Sequence, residues 1–379
     1  MTHFNAIVIG VGGMGSSAVY HLAQRGLKVL GLERYDIPNE MGSSHGITRM
    51  IRLAYHEHPS YVPLVQRAYE LWHQLENYTG ERLLITTGSI RGGSENGSLF
   101  QGAKKACDIH HLPYEVLDGT EVNQRFPGYR LPKDVLTVYQ PDGGFLLSQQ
   151  CIVAYVSAAL ELGAEVHGRE QVLTWEPGAD GVKIQTDRDI YTAESLIICA
   201  GSWAYKLVPG LAEYAIPERQ VLAWFQPSQP QLFKPGTFPV WGLEVNEDRY
   251  YGFPSYGVPG FKLGRYHHLK EQVDPDTMER EPNAQDEEVL RDFTRRFFPD
   301  AIGPTLALKT CLFTNTPDGH FIIDRLPDYP QVSIAAGFSG HGFKFCSVVG
   351  EIMADLSQHG ETSHDLGLFK LSRFDNAVL

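Results

Sequence analysis

Gly10, Gly12 and Gly15 are spaced G-x-G-x-x-G, and Glu33 follows eighteen residues after the last of them. That pattern suits a backbone that must meet a pyrophosphate. The first glycine turns tightly, the second lets the main chain approach the ligand, the third lets helix and strand pack, and the acid accepts from a ribose hydroxyl. Glu33 argues against a 2′-phosphate and so against NADP, while NAD and FAD both stay open. Next comes MGSSHGITRMIR, with a flexible turn at Gly42, Ser43, Ser44 and Gly46, then Arg49 and Arg52 three apart. A helical segment would put both arginines on one face. The bland reading is two solvated arginines, but the segment directly follows the ribose-binding strand and mixes His45 and Thr48 with few acids. His56-Glu57-His58 matches no zinc spacing, and no metal is expected. Cys311 lies in KTCLFTNTPDGHFIID, and the chain's five cysteines, at 107, 151, 199, 311 and 346, are too scattered for a metal pair. Lys344 falls in the first turn of the helix after GFSGHG, where a cation opposes the helix dipole. That placement makes most sense against an anion or an electron-rich ring.

The elements that must position these residues are legible in outline. AIVIG reads as a buried strand, SSAVYHLAQRG as a helix closed by glycine, and LKVLGLE as a second strand, which completes a βαβ unit over residues 5–36. An amphipathic helix is expected over 61–78, strand and turn near 83–93, and a helix over 148–163 followed by a strand. A hairpin then leads to a buried strand within 182–204, ending at Ala200-Gly201, a second approach of backbone to a large cofactor. From 216 to 316 short aromatic-rich strands predict a mostly antiparallel sheet, interrupted by a polar loop and a helix from near Asp286. A buried strand, VSIAAG, the turn GFSGHG and a last helix follow. The fold class is therefore α/β, a Rossmann-type dinucleotide domain with an antiparallel-sheet second lobe.

Bulk properties limit the function. The chain has 379 residues, 42% hydrophobic and 20% charged, enough for two packed lobes of an ordinary soluble protein. No apolar run approaches the roughly 20 residues that span a bilayer. The first strand begins within a few residues of the start with no basic segment before it, so no signal peptide is expected. An odd number of dispersed cysteines points to a reducing, cytoplasmic setting. The ending DNAVL is no peroxisomal address. A net charge of −13 without a basic block argues against nucleic acid as a partner.

The blocks IVIGVGGMGSS, GSSHGITRMIR, YYGFPSYG, KTCLFTNTPDGHFIID and GFSGHGFKF, spread from residue 6 to 345, resemble the monomeric sarcosine oxidase family of flavoenzymes, which includes N-methyltryptophan oxidase and pipecolate oxidase. The resemblance implies a fold like that of the glutathione reductase and D-amino-acid oxidase flavoproteins. The FAD-binding domain would be drawn from 1–83, 145–215 and 318–379, and the substrate domain from 84–144 and 216–317. It implies FAD attached by a thioether from the flavin 8-methyl to Cys311. Gly10, Gly12, Gly15, Glu33, Arg34, Ser43, Ser44, Thr48, Gly201, Gly340, Gly342 and Lys344 would form the cofactor's surroundings. Arg52 and Lys344 would clamp a substrate carboxylate, a planar fork opposite a point charge. Tyr251 would line the substrate pocket, His45 and Arg49 would lie against the flavin, and the Gly340 carbonyl would accept from the substrate amine. Lys262 would sit near flavin N5 and promote reaction with oxygen. Two positions depart from the family pattern. Phe313 stands where a tyrosine is usual. The segment after Lys262 carries one residue too many before Tyr266-His267-His268, which a bulge absorbing Arg265 would accommodate, leaving His267 in the pocket role.

The implied activity is oxidative demethylation of sarcosine or a related N-methyl amino acid, with dioxygen as acceptor, by a monomeric enzyme. A bulkier N-methyl amino acid, a cyclic imino acid such as pipecolate or proline, and glycine stay open as substrates. An NAD-dependent dehydrogenase and a non-catalytic flavin-binding protein are the rivals from other classes.

Overall fold

The computed structural model describes residues 2–178 and 181–374. Residues 375–379, the DNAVL ending expected in the cofactor domain, lie outside the described residues, as do 1, 179 and 180.

Among the described residues, two eight-stranded sheets and a small three-stranded one carry the fold. The first sheet has five parallel strands in the spatial order Glu165–His167, Val29–Leu32, Thr2–Ile9, Ile190–Ile198, Tyr329–Ala336. Ile322–Leu326 pairs antiparallel to the last of these, and the hairpin Val172–Gly178/Gly181–Thr186 pairs with the start of Ile190–Ile198. Residues Ala6, Ile7 and Val8 are fully buried, as a parallel strand covered on both faces requires. One face is covered by the helices Gly13–Gln24, Ser148–Glu161 and Cys346–His359, with Tyr61–Thr79 behind them. A side chain at Gly15 would stand 1.7 Å from the carbonyl oxygen of Gly10, so helix and strand meet there only because the residue is glycine.

The second sheet runs Thr305–Asn315, Ile216–Phe225, Phe261–Arg265, Asp248–Phe253, Val240–Val245, Ser89–Gly93, Leu136–Gln140, Glu115–Asp118. Its neighbours are antiparallel except Val240–Val245 and Ser89–Gly93, which run parallel. Trp241, Phe261, Phe238 and Phe298 form its core under the helix Ala284–Phe297. Thr48–Ile51, Gly144–Leu147 and Leu84–Thr86 make the small sheet. The segment holding Arg49 is thus a strand, not a helix. Arg49 and Arg52 do not share a helical face, because pairing with Gly144–Leu147 overrides the local i, i+3 pattern. Among the described residues no helix is long and apolar enough to cross a membrane.

Candidate active site

The carboxyl ends of the parallel strands open onto a cavity of about 310 Å³. Gly10 and Gly12 line it at the N-terminus of Gly13–Gln24, with Glu33, Arg34, Ser43, Ser44, Gly201, Gly340 and Gly342. Gly10 has φ +87°, a conformation glycine adopts without strain. Glu33 accepts from the backbone N–H groups of Val11, at 2.9 Å, and Tyr35, at 3.0 Å. Burial raises its pKa, while these N–H groups oppose the rise. Arg34 lies at the rim and is paired with Asp276. Gly15 lies behind the turn, as its packing role predicts, and Thr48 faces Lys262 instead of the cavity.

The residues present fit a dinucleotide. A side chain at Gly12 would meet only Ser44 Oγ, at 3.7 Å, and one at Gly201 would meet nothing within 4 Å, so both would occupy open space. The N–H groups of a helix N-terminus face that space. His45, expected against the flavin, lines neither cavity; it is buried, and among the described residues neither ring nitrogen has a partner. Burial, then the charges of Arg49 and Lys262, push its pKa down to about 3, so the ring is neutral.

A second pocket, of about 90 Å³, shares Arg49, Phe313, Gly340 and Phe343 with the first. Arg52, Lys344, Tyr251 and Cys311 line it. Cys311 is a free, buried thiol whose sulfur accepts from Arg49 Nη2 at 3.5 Å. Lys344 is not a surface lysine. Its Nζ donates to the His341 carbonyl at 2.6 Å and lies 5.4 Å from the Tyr55 ring centroid. Burial and the Arg52 charge push its pKa well below the usual lysine value. Arg52 is already engaged. Nη2 donates to both oxygens of Glu57 at 2.8 Å, and Nη1 donates to the Ala54 carbonyl. Burial alone would raise the Glu57 pKa, but the Arg52 charge and a hydrogen bond from His56 hold the carboxyl well below its usual range.

Lys262 lines neither cavity; it is buried with Nζ 4.3 Å from the ring centroid of Phe253, which lines the small pocket, and donates to Gly46 O and Thr48 O at 2.7 Å and to Thr48 Oγ1 at 2.9 Å. Three acceptors match the three protons of an ammonium group, although burial and Arg49 press its pKa down.

His267 lines neither cavity, and the expected bulge is absent. Tyr250 to Phe253 pair with Arg265 to Lys262 without a register shift. The strand ends there, and Tyr266 enters the pocket, its hydroxyl donating to the Ser339 carbonyl. His267, at φ +56°, turns away to Glu218, 2.9 Å from its Nδ1. Sequence reasoning also missed Glu57, His56, Arg91 and Gly242. The only sequence signal at the first two is the run His56-Glu57-His58, whose spacing matches no zinc site. Among the described residues no three His, Cys, Asp or Glu side chains are grouped to hold a metal.

The sequence pattern of the family described as FAD dependent oxidoreductase matches residues 5–356. The chain is 42% identical over 377 residues to monomeric sarcosine oxidase of Bacillus sp. (strain NS-129), covering 98% of this chain and 97% of that protein. It is 34% identical over 375 residues to N-methyl-L-tryptophan oxidase of Yersinia pestis (strain Pestoides F), covering 98% and 99%. Among solved structures it is similar to NikD, an unusual amino acid oxidase essential for nikkomycin biosynthesis. The TM-score is 0.85 at 25% identity, over 98% of each chain.

Proposed function

Because the chain belongs to the family of FAD-dependent oxidoreductases that holds the monomeric sarcosine oxidases and N-methyltryptophan oxidases, we propose that it oxidatively demethylates sarcosine or a related N-methyl amino acid. The products are the primary amine, formaldehyde and hydrogen peroxide. The observation that carries this reading is the small cationic pocket, lined by Arg52 and Lys344, that shares its walls with the glycine-lined cavity.

In this reading Gly10, Gly12 and the helix N-terminus hold the FAD pyrophosphate and Glu33 the ribose. Arg34, Ser43, Ser44, Gly201, Gly340 and Gly342 contribute walls, and Cys311 carries the flavin as a thioether. Residues 1–83, 145–215 and 318–379 form the cofactor lobe, and 84–144 and 216–317 the substrate lobe. Bound FAD supplies an acceptor for the hydride equivalent of the N-methyl carbon and a route for those electrons to dioxygen. The chain's own residues do the rest. Arg52 and Lys344 hold the substrate carboxylate, and for Arg52 this means exchanging Glu57 for the substrate. The Gly340 carbonyl accepts from the amine N–H and fixes the methyl group's direction. The surrounding cations disfavour a protonated amine, which keeps the lone pair free to push the hydride out. Phe313, Phe343 and Tyr251 exclude water until the imine is released to hydrolyse. Lys262 places positive charge where negative charge develops on dioxygen. The enzyme is proposed to act as a cytoplasmic monomer, and five unpaired thiols support a reducing compartment.

The pocket's 90 Å³ favours a compact substrate over an N-methyltryptophan-sized one. An NAD-dependent dehydrogenase, allowed by the βαβ unit alone, is set aside by the family match across residues 5–356. The test is anaerobic addition of sarcosine to the purified holoenzyme. Prompt bleaching of the flavin band is expected. A band that stays yellow with sarcosine and with other N-methyl amino acids overturns the proposal.

A further inference from the structure

Arg91 lies on the strand Ser89–Gly93 and lines the small pocket. It is only 6% exposed, yet it has no carboxylate partner among the described residues. Nη1 reaches the Met50 sulfur at 3.5 Å, Nη2 reaches His56 Nδ1 at 3.4 Å, and Nε has no partner. The imidazole is no substitute for an anion, since burial keeps His56 neutral. Glu57 is already held by Arg52 and by His56, 3.0 Å from Nδ1. Arg249, at the rim, has Glu244.

The neighbouring strand is shaped around this arginine. Gly242 is paired with Arg91 across the parallel ladder, and a Cβ there would stand 1.9 Å from Arg91 Nη1. The φ of Gly242 is not in the left-handed region, so the backbone does not demand glycine. The guanidinium does. A buried guanidinium without an anion is costly to the folded chain, and the cost is recovered when an anion arrives. Lys344 is in the same condition, with a carbonyl as its acceptor. One carboxylate on a substrate answers Lys344 and Arg52. It leaves Arg91 with only the displaced Glu57, which His56 still holds at 3.0 Å from Nδ1.

Resting on the amine-oxidase reading of this pocket, we propose that the substrate carries a second carboxylate, held by Arg91, and that the chain acts on N-methyl derivatives of dicarboxylic amino acids. A guanidinium fork takes a carboxylate through two parallel N–H···O bonds, and enclosure in the pocket strengthens them. Gly242 then serves specificity by holding open the place of Arg91.

The test has two arms. In the first, kcat/KM for peroxide formation is compared for sarcosine, N-methyl-L-aspartate and N-methyl-L-glutamate. At least one dicarboxylic substrate should exceed sarcosine by about tenfold or more, and that ratio should fall about 100-fold in Arg91→Met, the usual scale for removing one member of a buried charge pair. Gly242→Ala, which keeps the arginine but displaces it, should lower the same ratio. Sarcosine preferred by the unmodified enzyme, or a ratio untouched by both variants, overturns the proposal. In the second arm, holoenzyme is titrated with succinate against butyrate and glutarate against valerate, read by perturbation of the flavin spectrum. Tighter binding of a diacid by tenfold or more, lost in Arg91→Met, supports the second anion site, and equal affinities overturn it. If none of the three amines is oxidised, the amine-oxidase reading has failed, and the acid titrations still judge the second anion site.

Discussion

Gly340 stands at the junction of the two cavities, and replacing it by alanine tests whether that junction is as tight as it looks. The substitution keeps the carbonyl proposed to accept from the substrate amine and adds one methyl group. Gly340 has φ +74°, where an L residue costs about 1 kcal/mol or somewhat more. The new Cβ would lie 2.4 Å from Phe313 Cε2 and 2.7 Å from two further ring atoms, so the ring must retreat by about an ångström. Phe313 is buried, with Tyr266 packed at 5.1 Å between centroids, and forcing such a ring aside costs about 1–3 kcal/mol. The expected sum is about 3 kcal/mol. At about 2.1 cal/mol/K per residue, a chain of 379 residues has an unfolding entropy near 0.8 kcal/mol/K, so the melting temperature should drop by about 4 °C. The ring borders both the cofactor cavity and the substrate pocket, so KM should rise as well. Phe313→Ala removes the collision partner. The double variant should therefore lose less stability than the two single losses added, by about 2 kcal/mol. Scanning calorimetry of the four holoproteins measures this. If Gly340→Ala melts within 1 °C of the parent, or if the single effects simply add, Phe313 does not fill the space beside Gly340.

Other expectations follow from the same site. Glu57→Gln removes the carboxylate that competes for Arg52, so KM for an N-methyl amino acid should fall about tenfold, roughly 1.4 kcal/mol; a KM that is unchanged or raised in steady-state assays excludes Glu57 as the competitor. Lys262→Met should slow reoxidation of reduced flavin by dioxygen about 100-fold or more in stopped flow, and equal slowing of anaerobic bleaching would show that its part is not in the oxygen step. Cys311→Ser should release its yellow chromophore with the small molecules on acid precipitation, whereas the parent retains it in the pellet; a parent that loses its colour refutes the thioether. Burial, ahead of all other causes, lowers the pKa of His21 and of His341 to about 4. In the unfolded chain both bind protons near pH 6.5, so between about 6.5 and 4 the unfolded state binds more protons and stability falls as pH falls. The urea midpoint should therefore decline from pH 7 to pH 5, and a constant midpoint would contradict neutral burial.

What could be read from the sequence was local. The turn at Gly10, the helix behind it and Glu33 belong to one continuous stretch whose spacing is itself the geometry. Cys311 and Lys344 could be singled out because their neighbours, KTCLFT and GFSGHG, resemble a known pattern. The rest depended on partners far along the chain. Arg49 sits on a strand because Leu146 is its ladder partner, which no helical spacing count reveals. Arg91 and Gly242 meet across a ladder between segments 151 positions apart, so neither residue alone looked unusual. Tyr266 reaches the pocket instead of His267 because the ladder with Tyr250–Phe253 runs regularly to Arg265, and the chain then turns through a positive φ at His267. Glu57 was visible, but its partner five residues earlier is reached through a loop and not along a helix.

The partition between the two cavities consists of Arg49, Phe313, Gly340 and Phe343, each touching both sides. The far wall of the small pocket, with Leu99, Gly242, Arg249 and Tyr250, touches only one. Changes in the partition alter flavin seating and substrate fit together, so lineages cannot explore them freely. Changes in the far wall carry no such linkage. Diversification of this scaffold, by descent or in a directed-evolution library, should accumulate its tolerated and substrate-switching substitutions on that wall and leave the partition nearly unchanged.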